Sequence, residues 1–464
     1  MSDSILKPEE HVLSTLERDG SRRWLKPVLN RGRWLLRRRI VAWLLIAVFT
    51  AAPFIRIGSR PLILLDVPAR RFTFFGYTFL PTDTLLLALL LVGSLLSIFV
   101  LTALVGRVWC GWVCPQTVYM EFLFRPIERF FDGTAGRGGV VRKGRPAWMT
   151  GAKYLTCFIA CFYLANTFLA YFVGTERLGQ WMTQSPIHHP VPFLIVAFVT
   201  VAMMLDFCFY REQICILMCP YGRFQSVLLD ESSLIVSYDA NRGEPRGKIR
   251  KNGGDSLPVV GDCVDCNRCV TTCPTGIDIR QGLQMECINC TQCIDACNDV
   301  MHKIGRAPDL IRYSSQRNDR QEKMGWRPRL FVYPVLMAGI FGAFLFVLLG
   351  SKSFDAVVIR EVGSPWTRVD NSGDSQIRNL TRLKLTNRSD LTASYKLSVI
   401  QPSDVELRIR ETNLELEPGE NTVWHLEFLA NQDVFDNGRA DCTLGISSSD
   451  GDQRQLQFKL LGPR

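Results

Sequence analysis

No stretch at the start of this 464-residue chain reads as a cleavable secretory signal, which argues against a secreted disulfide scaffold despite 16 cysteines. Extreme composition is missing too: the hydrophobic fraction of 47% is only slightly above the soluble norm, even with 28 Phe and 10 Trp. That average conceals a mixture, because apolar runs of membrane length alternate with charged segments. Leu85–Leu91 and Ile340–Leu349 lack any polar face, which excludes the surface helix of a globular domain. There is no acidic excess either, and the net charge is +10. Lys and Arg cluster beside the apolar runs, as orientation of membrane helices requires, so no nucleic-acid partner is expected.

Five stretches are expected to span a membrane: Ile40–Ile57, Thr84–Val105, Lys153–Val173, Val191–Tyr210 and Leu330–Gly350, each near the roughly 20 residues a bilayer core needs. Arg31, Arg33, Arg37, Arg38 and Arg39 precede the first span. Arg107, Arg125, Arg129, Arg137, Arg142, Lys143 and Arg145 follow the second. The segment Thr175–Pro190 holds only Arg177, and the first outer loop only Arg60, Arg70 and Arg71. The positive-inside rule therefore predicts a cytoplasmic N-terminus, a cytoplasmic Cys263–Cys297 segment, and a periplasmic position for everything after Lys352. The fold class expected is a multi-domain membrane protein. Residues 1–39 form a cytoplasmic segment, 40–229 four transmembrane helices, 230–260 a linker, 261–310 an α+β two-cluster ferredoxin-like domain, 330–350 the fifth helix, and 354–464 an all-β domain.

The cysteines are unevenly placed: seven lie between Cys110 and Cys219, eight between Cys263 and Cys297, and Cys442 stands alone. Cys263, Cys266, Cys269 and Cys273 form one C-x2-C-x2-C-x3-C run, and Cys287, Cys290, Cys293 and Cys297 repeat it. In such a run three cysteines wrap one four-iron cubane while the fourth reaches the other cluster. Cys263, Cys266, Cys269 and Cys297 are thus expected to hold one [4Fe–4S] cluster, and Cys273, Cys287, Cys290 and Cys293 the second. Zinc is the rival metal, but structural zinc uses two separated C-x2-C pairs rather than triplets. Pro274 follows the fourth cysteine of the first run, whereas Asn298 stands at that place in the second. The Gly- and Lys/Arg-rich stretch Asn241–Gly254 reads as a mobile linker.

A second repeat sits at the inner membrane edge, where Cys110-x3-Cys114-Pro115 and Cys215-x3-Cys219-Pro220 end the second and fourth spans. An i,i+4 spacing places both thiols of a pair on one helix face, and the proline bends or ends the helix there. These four thiols are the candidate redox site. They could bind Cu(I), hold a further iron–sulfur centre or cycle as disulfides, and ligand softness does not choose among these. Cys157 and Cys161 repeat the spacing on the third span and Cys208 lies nearby; as weaker metal candidates they compete with simple packing of a small apolar residue. His188 and His189 in the outer loop are weaker candidates again, more often solvated than ligating. Met203 and Met204 read as packing residues. Asp206, costly in lipid, is read either as part of a proton or metal path or as the partner of Arg211.

From Phe354 the pattern changes to period-two alternation, as in Thr381–Thr386, Tyr395–Ile400, Val405–Ile409, Val423–Phe428 and Leu456–Leu460, with turns at Pro402, Pro418-Gly419 and Asp450-Gly451. This predicts an immunoglobulin-like β-sandwich. No catalytic cluster appears in it. Cys442 is read first as a buried strand residue.

With these pieces assembled, the chain resembles the CcoG/FixG/RdxA family of cytochrome c oxidase accessory proteins. The resemblance is carried by the cysteine motifs and by Leu64-Leu-Asp-Val-Pro-Ala-Arg-Arg71, Trp109-Cys-Gly-Trp-Val-Cys-Pro-Gln116 and Asp239-Ala-Asn-Arg-Gly-Glu-Pro-Arg-Gly247. It implies a bacterial inner-membrane protein, a cupric reductase that supplies Cu(I) for assembly of cbb(3)-type oxidase. Copper would then be substrate or bound metal at Cys110, Cys114, Cys215 and Cys219. The partners implied are oxidase subunits or copper-delivery proteins, with an unknown cytoplasmic electron donor, and a homodimer is left open. Two other readings are a generic electron-transfer subunit with a cytoplasmic or quinol donor, and a non-redox assembly scaffold.

Overall fold

The computed structural model describes residues 22, 24–58, 60–68, 71–79, 83–132, 144, 146–247, 261–322, 327–350, 353–371, 374–389, 391–411 and 413–463. Arg70, Arg137, Arg142, Lys143, Arg145, Lys352 and the linker beyond Gly247 lie outside the described residues. The chain divides into two compact units, one built mainly from residues 82–344 with the N-terminal part, the other mainly from residues 345–464.

The first unit is helical around a small mixed domain. Helices α1 (Arg33–Ala51), α2 (Thr84–Val105), α3 (Ala147–Val173), α4 (Pro190–Tyr210), α5 (Gln292–Lys303) and α6 (Arg329–Leu349) are its long elements. Among the described residues, α2, α3, α4 and α6 are long and apolar enough to cross a membrane. The first expected span differs. Its helix begins at Arg33, carries Arg37, Arg38 and Arg39 within it, and ends at Ala51 before Pro53; the chain is extended again at Arg56–Ile57. Two causes account for the shift. Proline ends the helix early by removing a donor, and at the other end Asp295 accepts the N–H groups of Trp34 (3.2 Å) and Leu35 (2.8 Å) that the first turn leaves free. Helices α3 and α4 pack together through Ala165, Leu169, Ala170 and Val196.

Strands β1 (Ile235–Tyr238) and β2 (Ile311–Ser314) pair antiparallel, Ile235 opposite Ser314 and Tyr238 opposite Ile311. The segment between them carries all eight clustered cysteines. Val236, Ile279, Ile294, Met301, Leu310 and Ile311 form the core beneath, so an apolar floor fixes a cysteine-lined loop region.

The second unit is a two-layer β-sandwich of β3 (Phe354–Arg360), β4 (Thr367–Asn371), β5 (Asp374–Asn387), β6 (Ala393–Gln401), β7 (Val405–Ile409), β8 (Glu415–Leu416), β9 (Asn421–Asn431), β10 (Arg439–Ser448) and β11 (Gln453–Leu461). One sheet runs β7-β9-β5-β3 with β4 on β5, the other β8-β6-β10-β11, all antiparallel. Period-two alternation sends Leu383, Leu385, Trp424, Leu426 and Phe428 inward to meet Tyr395, Leu444 and Ile446. Each such side chain contributes about 1.5–3 kcal/mol of burial. Cys442 lies in this core opposite Phe458, and burial pushes its thiol up to about 11.

Candidate functional site

Each cysteine triplet brackets its middle member with two left-handed residues. Asp265 (φ 52°) and Asn267 (φ 54°) flank Cys266; Asn289 (φ 52°) and Thr291 (φ 63°) flank Cys290. Asp and Asn tolerate this region better than most side chains, whereas the β-branched Thr291 is unusual there. Helices start directly afterwards, at Arg268 and at Gln292, so each triplet curls about a hollow and then straightens. Arg280 fixes the first curl by donating to Asp265 and Asn267 (2.6 Å each) and to Asp278.

Two small hollows result. One is lined by Cys263, Cys266, Cys269 and Cys297, the other by Cys273, Cys287, Cys290 and Cys293, with Cys269 on its border. The fourth cysteine of each run thus joins the other run's triplet. Where Pro274 turns the first run, the second continues in helix α5 through Asn298, whose side chain donates to Asp309 at 3.0 Å and accepts its N–H at 2.8 Å.

The donor set fits an anionic iron–sulfur cubane. Burial pushes the Cys287 thiol up to about 11 and Cys269, Cys290 and Cys297 to about 12, so thiolate character there depends on a bound cation. Beside Cys290 lies the guanidinium of Arg38, which is 1% exposed. Its Nε donates to the Gly111 carbonyl at 3.0 Å, but neither terminal nitrogen has a hydrogen-bond partner among the described residues. A buried, half-satisfied cation beside Cys290 suits negative charge in that hollow, as it does the carboxylate of Asp295 on its other side.

The membrane-edge pairs fold alike, but not as one helix face. In each, the second cysteine's N–H reaches five residues back, Cys114 to the Trp109 carbonyl (2.9 Å) and Cys219 to that of Ile214 (2.7 Å). Each then leaves helical geometry and precedes a proline that opens a new short helix, Pro115–Tyr119 and Pro220–Leu228. The expectation of both thiols on one face is corrected here: proline forbids continuing the helix, so Cys114 and Cys219 stand at a junction. The four thiols remain in one neighbourhood, since Cys110 and Cys215 each lie within electrostatic range of Cys114 and Cys219. Burial pushes Cys110 up to about 11 and Cys215 to about 12, opposed at Cys110 by Arg107. The Cys110 thiol donates to Gln225 Oε1 at 2.9 Å. Among the described residues no three Cys, His, Asp or Glu side chains converge as ligands of a single metal ion.

Two contacts that sequence reading missed join this site to the second hollow. Gly111, between Cys110 and Cys114, is pressed against the backbone of Ile288 and Asn289, so closely that a Cβ there would collide with the Ile288 carbonyl. Arg107 stands between Cys110 and Cys287 and donates to the Met285 carbonyl. The glycine inside a C-x3-C-P motif was the available signal.

The other candidates are dispersed. Cys157 and Cys161 are buried in a helix core with Leu164 and Phe207, and Cys157 is in hydrogen-bond contact with Cys208. His189 is half-buried, bonds Gln184 at 2.8 Å and stacks on Trp181; His188 is exposed. Asp206 does not pair with Arg211, whose guanidinium goes to Glu128 at 2.6 Å; its carboxylate accepts from Gln116 at 2.6 Å instead.

Residues 210–316 match a family described as a 4Fe-4S dicluster domain, residues 87–133 a 4Fe-4S binding domain, and residues 344–463 an IG-like fold at the C-terminus of FixG. The chain is 35% identical to Protein RdxB of Cereibacter sphaeroides over 78% of its own length and 79% of that protein's. It is likewise 35% identical to Protein RdxA of the same organism, over 78% and 80%. The chain belongs to the FixG/RdxA family. The nitrogen fixation protein FixG of Rhizobium meliloti is 33% identical over 79% of this chain and 77% of FixG. This FixG/RdxA member is therefore a membrane iron–sulfur electron-transfer protein that carries two [4Fe–4S] clusters.

Proposed function

We propose that the chain reduces Cu(II) to Cu(I) for assembly of a cbb(3)-type cytochrome c oxidase in the bacterial inner membrane. In this reading the cluster domain is cytoplasmic and receives electrons from an unknown cytoplasmic donor, and the sandwich is periplasmic, placed to meet oxidase subunits or copper-delivery proteins. Cys263, Cys266, Cys269 and Cys297 would hold one cluster; Cys273, Cys287, Cys290 and Cys293 the other. The clusters supply one-electron carriage. Cys110, Cys114, Cys215 and Cys219 receive copper as substrate, since soft thiolates favour the Cu(I) product over Cu(II).

The observation that carries the reading is the seating of Gly111 on the Ile288–Asn289 backbone, between Cys287 and Cys290. It puts the Cys110–Cys114 pair against the ligand loop of the second hollow. Anaerobic EPR of the chemically reduced protein titrated with Cu(II) tests it: loss of the Cu(II) signal should accompany cluster oxidation. In the C110S/C114S variant copper reduction should stop while cluster absorbance stays, and unchanged reduction would overturn the assignment.

A second reading gives the four thiols a further iron–sulfur centre. It is favoured by the 4Fe-4S family match over 87–133 and by the lack of single-ion convergence among the described thiols. Iron analysis separates the two, because a third cluster raises the iron count per chain above that of two clusters.

A further inference from the structure

Helix α2 ends at Gly106, whose φ of 63° turns the chain and where a Cβ would collide with the Leu234 carbonyl just before β1. Further on, Gly111 is seated on Ile288. Arg107 stands between these two close approaches, 5% exposed, and its guanidinium meets three segments at once. One terminal nitrogen donates to the Met285 carbonyl, in the loop that leads to Cys287. The side chain is also in hydrogen-bond contact with Cys110. Its other terminal nitrogen lies against the short helix Pro220–Leu228, 3.6 Å from where a Cβ on Gly222 would stand, and that point is 3.1 Å from the Cys215 carbonyl. None of these partners is a carboxylate, and the Arg107 Nε has no hydrogen-bond partner among the described residues. Arg280 at the first hollow differs, because Asp265 (2.6 Å) and Asp278 (2.7 Å) neutralise it. A buried guanidinium is retained beside compensating negative charge. For Arg107 that charge is what the neighbouring thiols carry; Glu286 also acts on Cys287, but less strongly than Arg107 does.

We propose that Arg107 is a positioning residue for electron exit: it stabilises the electron on the second cluster and holds the Cys287 loop against the membrane-edge thiols. A cluster held by four thiolates is anionic, and reduction adds one more negative charge. A fixed cation beside it favours the reduced form, and in a seam closed to water that attraction is weakly screened. The three contacts of the guanidinium also fix the gap that the electron crosses. One electron leaves the second cluster and one arrives at the acceptor on the thiols, taking Cu(II) to Cu(I); no covalent bond of the protein forms or breaks. The inference rests on the proposed direction of flow toward these thiols, but the charge it assigns to Arg107 is measured without copper.

The test is an anaerobic redox titration of the full-length protein, followed by EPR, in wild type, R107M, R107K and R38M. R38M marks the second cluster, because Arg38 lies beside Cys290. R107M should lower the potential of that same cluster, cutting its reduced-to-oxidised ratio about tenfold at the wild-type midpoint, which is about 59 mV for one electron. R107K keeps the charge and should restore the potential. Should R107M fail to retain iron, R107Q replaces it, with the same shift expected. In a second measurement the dithionite-reduced, desalted proteins are reoxidised by Cu(II) in a stopped-flow instrument. R107M and R107K should both react about tenfold more slowly. A lower potential makes the cluster a stronger reductant, so slowing in R107M reports a widened seam. Potentials unmoved in R107M, a shift in the cluster that R38M leaves alone, an R107K shift equal to that of R107M, or reoxidation at the wild-type rate would each overturn the proposal. A wild type that Cu(II) fails to reoxidise would sink the copper reading instead, and the potentials alone would then decide the role of Arg107.

Discussion

Gly111 rests directly on the carbonyl of Ile288, with no room for a side chain between the membrane-edge thiols and the loop of the second cysteine triplet. The substitution G111A forces backbone against backbone, and overpacking of this kind costs about 1–3 kcal/mol. The two modules should be pushed apart without loss of any cysteine. Visible absorbance of the clusters should stay, while stopped-flow reoxidation by Cu(II) slows. Reoxidation at the wild-type rate would mean electrons leave by another face.

Arg38 gives a second test, because its buried guanidinium faces Cys290 with both terminal nitrogens unpaired among the described residues. A buried charge deprived of its partner costs about 3–5 kcal/mol. Removing iron with a chelator should therefore lower the unfolding temperature of the wild type more than that of R38M. In the holoprotein R38M should shift the potential of one cluster downward, as loss of a nearby cation favours the oxidised form. Equal shifts of both clusters in a redox titration would contradict the placement.

Much of this site was legible because cysteine spacing is a direct record of cluster geometry. Cys273 and Cys297 change hollows as the spacing rule requires, and the alternation in β5, β6, β7, β9 and β11 followed from period two alone. Proline punctuation was harder to weigh. Pro53 stops α1 where hydropathy continues to Ile57, and Pro115 and Pro220 turn apparent i,i+4 pairs into helix junctions. The long-range contacts were out of reach: nothing local in Asp295 announces that it caps α1, or in Arg38 that it is buried.

The Asp295 cap makes its own prediction. Burial raises its carboxyl, and the Leu35 and Trp34 N–H groups act to lower it again. D295A leaves two backbone donors without an acceptor and should cost about 1–3 kcal/mol. Hydrogen exchange at the amides of Trp34 and Leu35 should accelerate, with the amides of β5 and β9 unchanged. Unaltered exchange at both positions would show that another group caps the helix.

In the sandwich, Glu411 accepts the His425 N–H at 2.9 Å and faces its ring Nδ1 at 2.8 Å. Burial alone would raise this carboxyl, but the bonds to His425 outweigh it and hold Glu411 below its ordinary value. A carboxylate with a depressed folded pKa adds stability above its unfolded value, about 4.3, and loses it as pH falls through the folded value. E411Q should therefore unfold at a lower temperature than wild type at pH 7. The gap should narrow as pH falls below the unfolded value and through the depressed folded one, where the wild-type carboxylate takes up its proton. Scans of both proteins at pH 7, 5 and 3.5 measure it. A gap that widens on acidification would reverse the sign and exclude an ionised Glu411 as the source of the stabilisation.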